Sequence, residues 1–168
     1  MEIKIKKLSE NAVIPSKMHQ NDAGFDLYVP HDVVLHEGRQ VIPLDFSIEL
    51  EHNYAATIQP RSGFSSKGVE CVYHRVTRHS VNVVNKEFRL DADVIRGLID
   101  ENYRGNVGVI INVHRSIDPD EVFVLCRGTR IAQMQIVRVP EVTLTVVDKL
   151  SDTERGDNGY GSTGSKSA

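Results

Sequence analysis

Hydrophobic and polar positions alternate along this chain over short distances. In EIKIKKL, residues 2–8, Ile3 and Ile5 fall on one side and lysines on the other, the period-two pattern of a half-buried strand. Runs rich in Val and Ile recur at 33–35, 41–50, 54–59, 69–73, 81–84, 107–113, 121–125, 131–139 and 141–147. Turn-forming residues punctuate them, notably HEG (36–38), RSG (61–63) and IDPDE (117–121). Many short strands without regular helical stretches between them predict an all-β sandwich or jelly-roll-like body rather than a βαβ fold. DADVIRGLIDENY (91–103) has a superficially helical pattern, but its glycine and polar turn signals make a strand or hairpin leading to a loop an equally good reading.

The pattern stops near the end. SDTERGDNGYGSTGSKSA (151–168) has almost no apolar content, which divides the chain into a β-domain over 1–150 and a flexible tail over 151–168. Such a tail is either a plain linker or a segment that orders when an anion and a planar group dock on it. Arg155 offers a fork of donors, the glycines a concave row of N–H groups, and Tyr160 a π-face.

Composition narrows the field. A length of 168 residues with 40% hydrophobic content suits one globular domain with its own core. No apolar run approaches the roughly 20 residues needed to cross a bilayer, so a soluble, cytoplasmic protein is expected. The two cysteines, Cys71 and Cys126, sit in apolar stretches and read as small buried thiols rather than a disulfide framework or zinc site. The seven histidines form no metal-ligand spacing, and a net charge of -3 gives no bulk case for nucleic acid. Neither a glycine-lysine phosphate loop nor a dinucleotide-type glycine motif is present, which closes the two commonest routes to a nucleotide.

Four clusters carry candidate chemistry. NDAGFDLYVP (21–30) places Asp22 and Asp26 around Gly24, either of them suited to a metal directly or through water, in what also reads as an ordinary Asp-Gly turn. PRSGFSSKG (60–68) gathers Arg61, Ser62, Gly63 and Lys67 after a strand, a set suited to phosphate oxygens or to a solvated turn. GTRIAQMQI (128–136) puts Arg130 and Gln133 at the start of an apolar strand. In GLIDENYRG (97–105), Asp100 follows two apolar residues and is expected to be partly buried, as suits a general base for water, and Tyr103 could lie flat against a sugar.

In this order the clusters resemble the five motifs of the trimeric dUTPases: AGFDLY (23–28), PRSGFSSKG, GLIDENYRG, GTRIAQ (128–133) and RGDNGYGSTG (155–164). The resemblance spans nearly the whole chain. It implies a jelly-roll-like subunit, a homotrimer with sites built from more than one subunit, and magnesium-dependent (Mg2+) hydrolysis of dUTP to dUMP and pyrophosphate. By the same resemblance Asp100 activates the attacking water, Tyr103 excludes a 2'-hydroxyl, and Asp26 holds magnesium through its water shell. Arg61, Ser62, Gly63 and Gln133 line the phosphate chain; Arg155, Gly161, Ser162 and Thr163 clamp its end, and Tyr160 stacks on uracil.

The chain departs from the pattern in places. About twenty extra residues, 73–91, separate the second and third motifs and carry His74, Arg75, Arg78, His79, Lys86 and Arg89, which reads as a surface hairpin or as an arm for a protein or nucleic-acid partner. Asp93-Val94-Ile95-Arg96 stands where the family usually has a small or amide residue before the third motif. Thr129 and Asn106 replace usual acidic groups. The alternatives to a plain dUTPase are a bifunctional dCTP deaminase/dUTPase, or a regulatory binding protein of the same fold acting through the basic insertion.

Overall fold

The computed structural model describes residues 1–154 together with Gly156 and Asp157. Every strand pairing is antiparallel. Strand β1 (Lys4–Lys7) pairs with β5 (Phe46–Glu49). A second sheet runs β10 (Gly97–Ile99), β6 (Tyr54–Pro60), β13 (Arg130–Arg138), β2 (Phe25–Tyr28). A third runs β4 (Gly38–Pro43), β11 (Gly108–Val113), β9 (Ala92–Ile95). The fourth is β3 (Val33–Leu35), β12 (Glu121–Leu125), β7 (Val69–Val76), β8 (Val81–Leu90). The period-two pattern is what closes these sheets on each other. In β11, Val109, Ile111 and Val113 point inward, and they join Leu27, Phe46, Phe123 and Met134 in one buried cluster.

Several sequence expectations need correction. The run 41–50 is two strands, because Asp45 adopts a left-handed backbone (φ 58°) and turns the chain between Pro43 and Phe46. The Ser9 hydroxyl donates to its carboxylate at 2.8 Å. Residues 25–28, read as part of a turn, are strand β2. The loop after β6 is a short helix, α1 (Ser62–Lys67), which buries only Phe64 and stops at Gly68 (φ 77°). Residues 91–103 are β9, β10 and a turn, not a helix.

The largest discrepancy is 141–147. It alternates as a strand should, yet it has no regular structure, and Val142, Leu144 and Val146 are 74%, 93% and 99% exposed. The last strand ends at Arg138.

The extra segment forms a hairpin from β7 and β8, beginning at Val69 rather than residue 73. Its base is anchored on the body. Tyr73 stacks on Phe123 with ring centroids 4.9 Å apart, Phe88 packs beside both, and Arg115 lies over Phe123 while gripping Glu121 with one nitrogen at 2.6 and 2.7 Å. Its outer half, including Val81, Val83 and Val84, is exposed. Cys71 is buried at the hairpin root, where burial pushes its thiol up to about 11, and Cys126 is half-buried. Among the described residues no helix is long and apolar enough to cross a membrane.

Candidate active site

Strands β2, β6 and β13 place three of the sequence clusters together. Gln133 lies opposite Asp26 on one side and Gln59 on the other, so the first, second and fourth motifs meet at one end of the sheet. A bulge at Ile131 shifts the β13 register there, which lets both Ile131 and Ala132 enter the core and turns Arg130 toward the pocket. The pocket has a volume of about 540 Å³, and Asp26, Arg61, Ser62, Gly63, Arg130 and Gln133 line it.

Asp26 is its centre of charge. Its side chain is 13% exposed, and its two oxygens accept from Arg61 Nε at 2.9 Å and Arg130 Nη1 at 3.2 Å. A carboxylate fixed between two guanidinium groups holds them toward the cavity, where an anion would meet both. Gln133 Nε2 donates to the Pro60 carbonyl at 3.2 Å. Its side chain lies close over Gly24, where a Cβ would sit 3.0 Å from Gln133 Oε1 and push that side chain aside by a few tenths of an ångström. Asp22 also borders the pocket, its carboxylate engaged by the His19 N–H at 2.8 Å. Two carboxylates fit an ion held through water and by a ligand's own phosphates; among the described residues no group of three or more His, Cys, Asp or Glu forms a cage.

Asp100 and Tyr103 are elsewhere. Gly97 pairs with Ile58 and Ile99 with Ala56, so Asp100 falls beside Ala55, toward the opposite end of β6 from Arg61. Counting four residues along β6 and three strand spacings across the sheet separates Asp100 from Asp26 by roughly 20 Å. Neither residue lines the pocket, and Asp100, just past the end of the edge strand β10, is exposed among the described residues rather than partly buried.

The Asp100 loop is nonetheless well defined. The Tyr103 N–H donates to the Asp100 carbonyl at 3.1 Å and closes the turn. The Tyr103 hydroxyl donates to the Asn106 carbonyl at 3.0 Å, and its ring lies against Gly105, where a Cβ would sit 2.4 Å from the hydroxyl oxygen and 2.6 Å from Cζ. Glu101 accepts from the Asn53 N–H at 2.8 Å and contacts His52, whose other ring nitrogen meets Glu141 at 3.2 Å. The Asn53 N–H, then His52, hold the Glu101 carboxyl below its usual range; Glu101, then Glu141, raise His52 above its own. Sequence reasoning missed Gly24, Gly105 and Glu101 as supports. The glycines lay inside quoted motifs, but only the side chain folded over each reveals its need.

Arg155, Tyr160, Gly161, Ser162 and Thr163 lie outside the described residues.

Known proteins are similar to this chain along nearly its whole length. The sequence model of a family described as dUTPase matches residues 10–88 and 86–164, two stretches that meet within β8 of the hairpin. The chain is 40% identical over 165 residues to the deoxyuridine 5'-triphosphate nucleotidohydrolase of Crocosphaera subtropica, covering 98% of this chain and 99% of that protein. It is 38% identical to the protein of the same description from Gloeothece citriformis, covering 98% and 97%. In three dimensions it is similar to the Staphylococcus bacteriophage 80alpha dUTPase with dUPNHPP, at a TM-score of 0.75 and 27% identity over 97% of this chain and 98% of that one. That likeness establishes the jelly-roll body.

Proposed function

The chain belongs to the dUTPase family and hydrolyses dUTP to dUMP and pyrophosphate, and we propose that it does so in sites shared between the copies of a homotrimer. One observation carries this reading: the pocket around Asp26 and the loop bearing Asp100 and Tyr103 stand at opposite ends of one sheet. A site needing both sets takes them from different copies. The run 141–147, which pairs with no strand among the described residues, supports such an assembly, because those residues leave its apolar face open. A cleft of about 430 Å³ between Ile3, Ile5, Phe25, Met134 and Ile136 offers an apolar surface of matching kind.

Within that site, Arg61, Ser62, Gly63 and Gln133 bind the phosphate chain in the pocket of one copy. Asp100 of a neighbouring copy takes the proton of the attacking water. The water oxygen bonds to the α-phosphorus, the bond to the bridging oxygen breaks, and its electron pair leaves with pyrophosphate. Asp26 anchors Mg2+ through water, and the ion, when bound, neutralises phosphate charge. Tyr103, held by the Asn106 carbonyl and by Gly105, presents a fixed ring to the deoxyribose and leaves no space for a 2'-hydroxyl. Arg155, Ser162, Thr163 and Gly161 close on the terminal phosphates and Tyr160 covers the base, a lid that excludes bulk water.

Pyrophosphate release from dUTP, dTTP, dCTP and UTP with and without magnesium tests the assignment, with ammonia release from dCTP as a check for deamination. Selective, magnesium-dependent turnover of dUTP is expected, and Asp100→Asn should lower kcat by about 10²- to 10⁴-fold, the usual contribution of a general base. Full activity in that variant would remove Asp100 from its role.

A further inference from the structure

A second cavity, of about 390 Å³, opens on the other side of Arg61. Arg61, Gly63 and Arg130 line both cavities, so the two are contiguous. The new walls are Lys67 from α1, Glu70 and Arg89 from the hairpin root, and Thr129 from the turn before β13. The packing at Gly68 sets this geometry. A Cβ at that residue would lie 2.3 Å from the Leu90 carbonyl oxygen, so the end of α1 sits directly on the last residue of β8 and carries Arg89 to the cavity edge.

Four cations and a single carboxylate border this space. Arg89 and Glu70 pair across the hairpin at 2.6 Å, and Asp26 holds Arg61 and Arg130 from the first pocket. Among the described residues Lys67 forms no ion pair. The wall at 129 is a neutral threonine. A cavity with this excess of positive charge concentrates a multiply charged anion, and a guanidinium beside an ammonium suits phosphate oxygens.

We propose that the second cavity is a subsite for the released pyrophosphate, with Arg89 and Lys67 as its ligands. The inference rests on the reading that the phosphate chain of dUTP occupies the first pocket. Cleavage at the α-phosphorus creates a small, highly charged product beside Arg61 and Arg130, and those two residues face the second cavity as well. Pyrophosphate moves across them without leaving the positive field, which clears the first pocket ahead of dUMP. Arg89 belongs to the extra hairpin, so this function is one that the hairpin adds to the reaction.

Product inhibition of the full-length enzyme by magnesium pyrophosphate tests it, alongside calorimetric titration of pyrophosphate into enzyme without nucleotide. Arg89→Ala and Lys67→Ala should each weaken pyrophosphate inhibition by about tenfold, the loss expected for one charge-assisted contact. The KM for dUTP and inhibition by dUMP should stay within about twofold, and Glu70→Gln should tighten pyrophosphate. Unchanged inhibition in all three variants would overturn the proposal. A parallel rise in the dUTP KM would also overturn it, since the residues would then serve the terminal phosphate of the substrate. Failure of the wild-type protein to turn over dUTP would instead count against the underlying reading, and the calorimetric arm would still report on the cavity.

Discussion

Two arginines converge on Asp26, and that contact makes the carboxylate a test of the pocket's electrostatics. Asp26→Asn keeps the shape but removes the charge that orients both guanidinium groups and the proposed anchor for the ion. Turnover should then require at least about tenfold more magnesium, measured as the half-saturating concentration in a pyrophosphate-release assay; an unshifted requirement would detach Asp26 from the metal. Gly105 makes a different demand. Gly105→Ala drives a methyl group into the Tyr103 ring, which must tilt, and discrimination against UTP in kcat/KM should fall by about tenfold or more. The sequence revealed the charged residues because their types announce chemistry. It did not reveal that Asp100 is exposed, since burial depends on what covers a strand end, and two preceding apolar residues do not decide that.

Elements show the same division between local pattern and distant partner. β11 was legible because inward and outward positions alternate cleanly, as they do in β13 over Ala132–Gln135 beyond its bulge, whereas α1 was not, because six residues with one buried side chain leave no helical period to detect. The hairpin is anchored at Tyr73, Phe88 and Phe123 and its β7 arm pairs with β12 as far as Arg75, whereas residues 77–85 beyond that pairing are all exposed. Replacing 77–85 with a two-residue turn should therefore leave kcat for dUTP within about twofold and the melting temperature nearly unchanged; a collapse of activity would give the tip a role in the site. His52 ties the Asp100 loop to the exit of β13 through Glu101 and Glu141. Its raised value means that the tie is complete below the ordinary imidazole value of 6.5 and is lost as pH rises through the folded value. In an NMR titration its midpoint should lie above 6.5 and move down in Glu141→Gln; no movement would mean that Glu141 is not its partner.

At the scale of the molecule, the run 141–147 shows most plainly what a lone chain withholds: it alternates as strand-forming material does, but among the described residues it pairs with no strand. Leu144→Asp, at a position 93% exposed here, should shift sedimentation from the proposed trimer toward monomer, and an unaffected trimer would place the subunit contact elsewhere. Mixing provides a second check on the assembly. Asp26→Asn and Asp100→Asn proteins, each impaired alone at low magnesium, should regain activity after joint refolding, because some sites then combine an intact Asp26 pocket with an intact Asp100 loop. The opposite placement of those residues on one sheet also carries a genetic consequence. With sites shared between copies as proposed, a defective copy lacking only Asp100 silences sites in proportion to its abundance, whereas a copy lacking both residues must be avoided twice by every working site. Expressed equally with the wild type, the double mutant leaves about a quarter of sites rather than about half. Dominance at this locus would thus be set by how many ends of the sheet an allele damages.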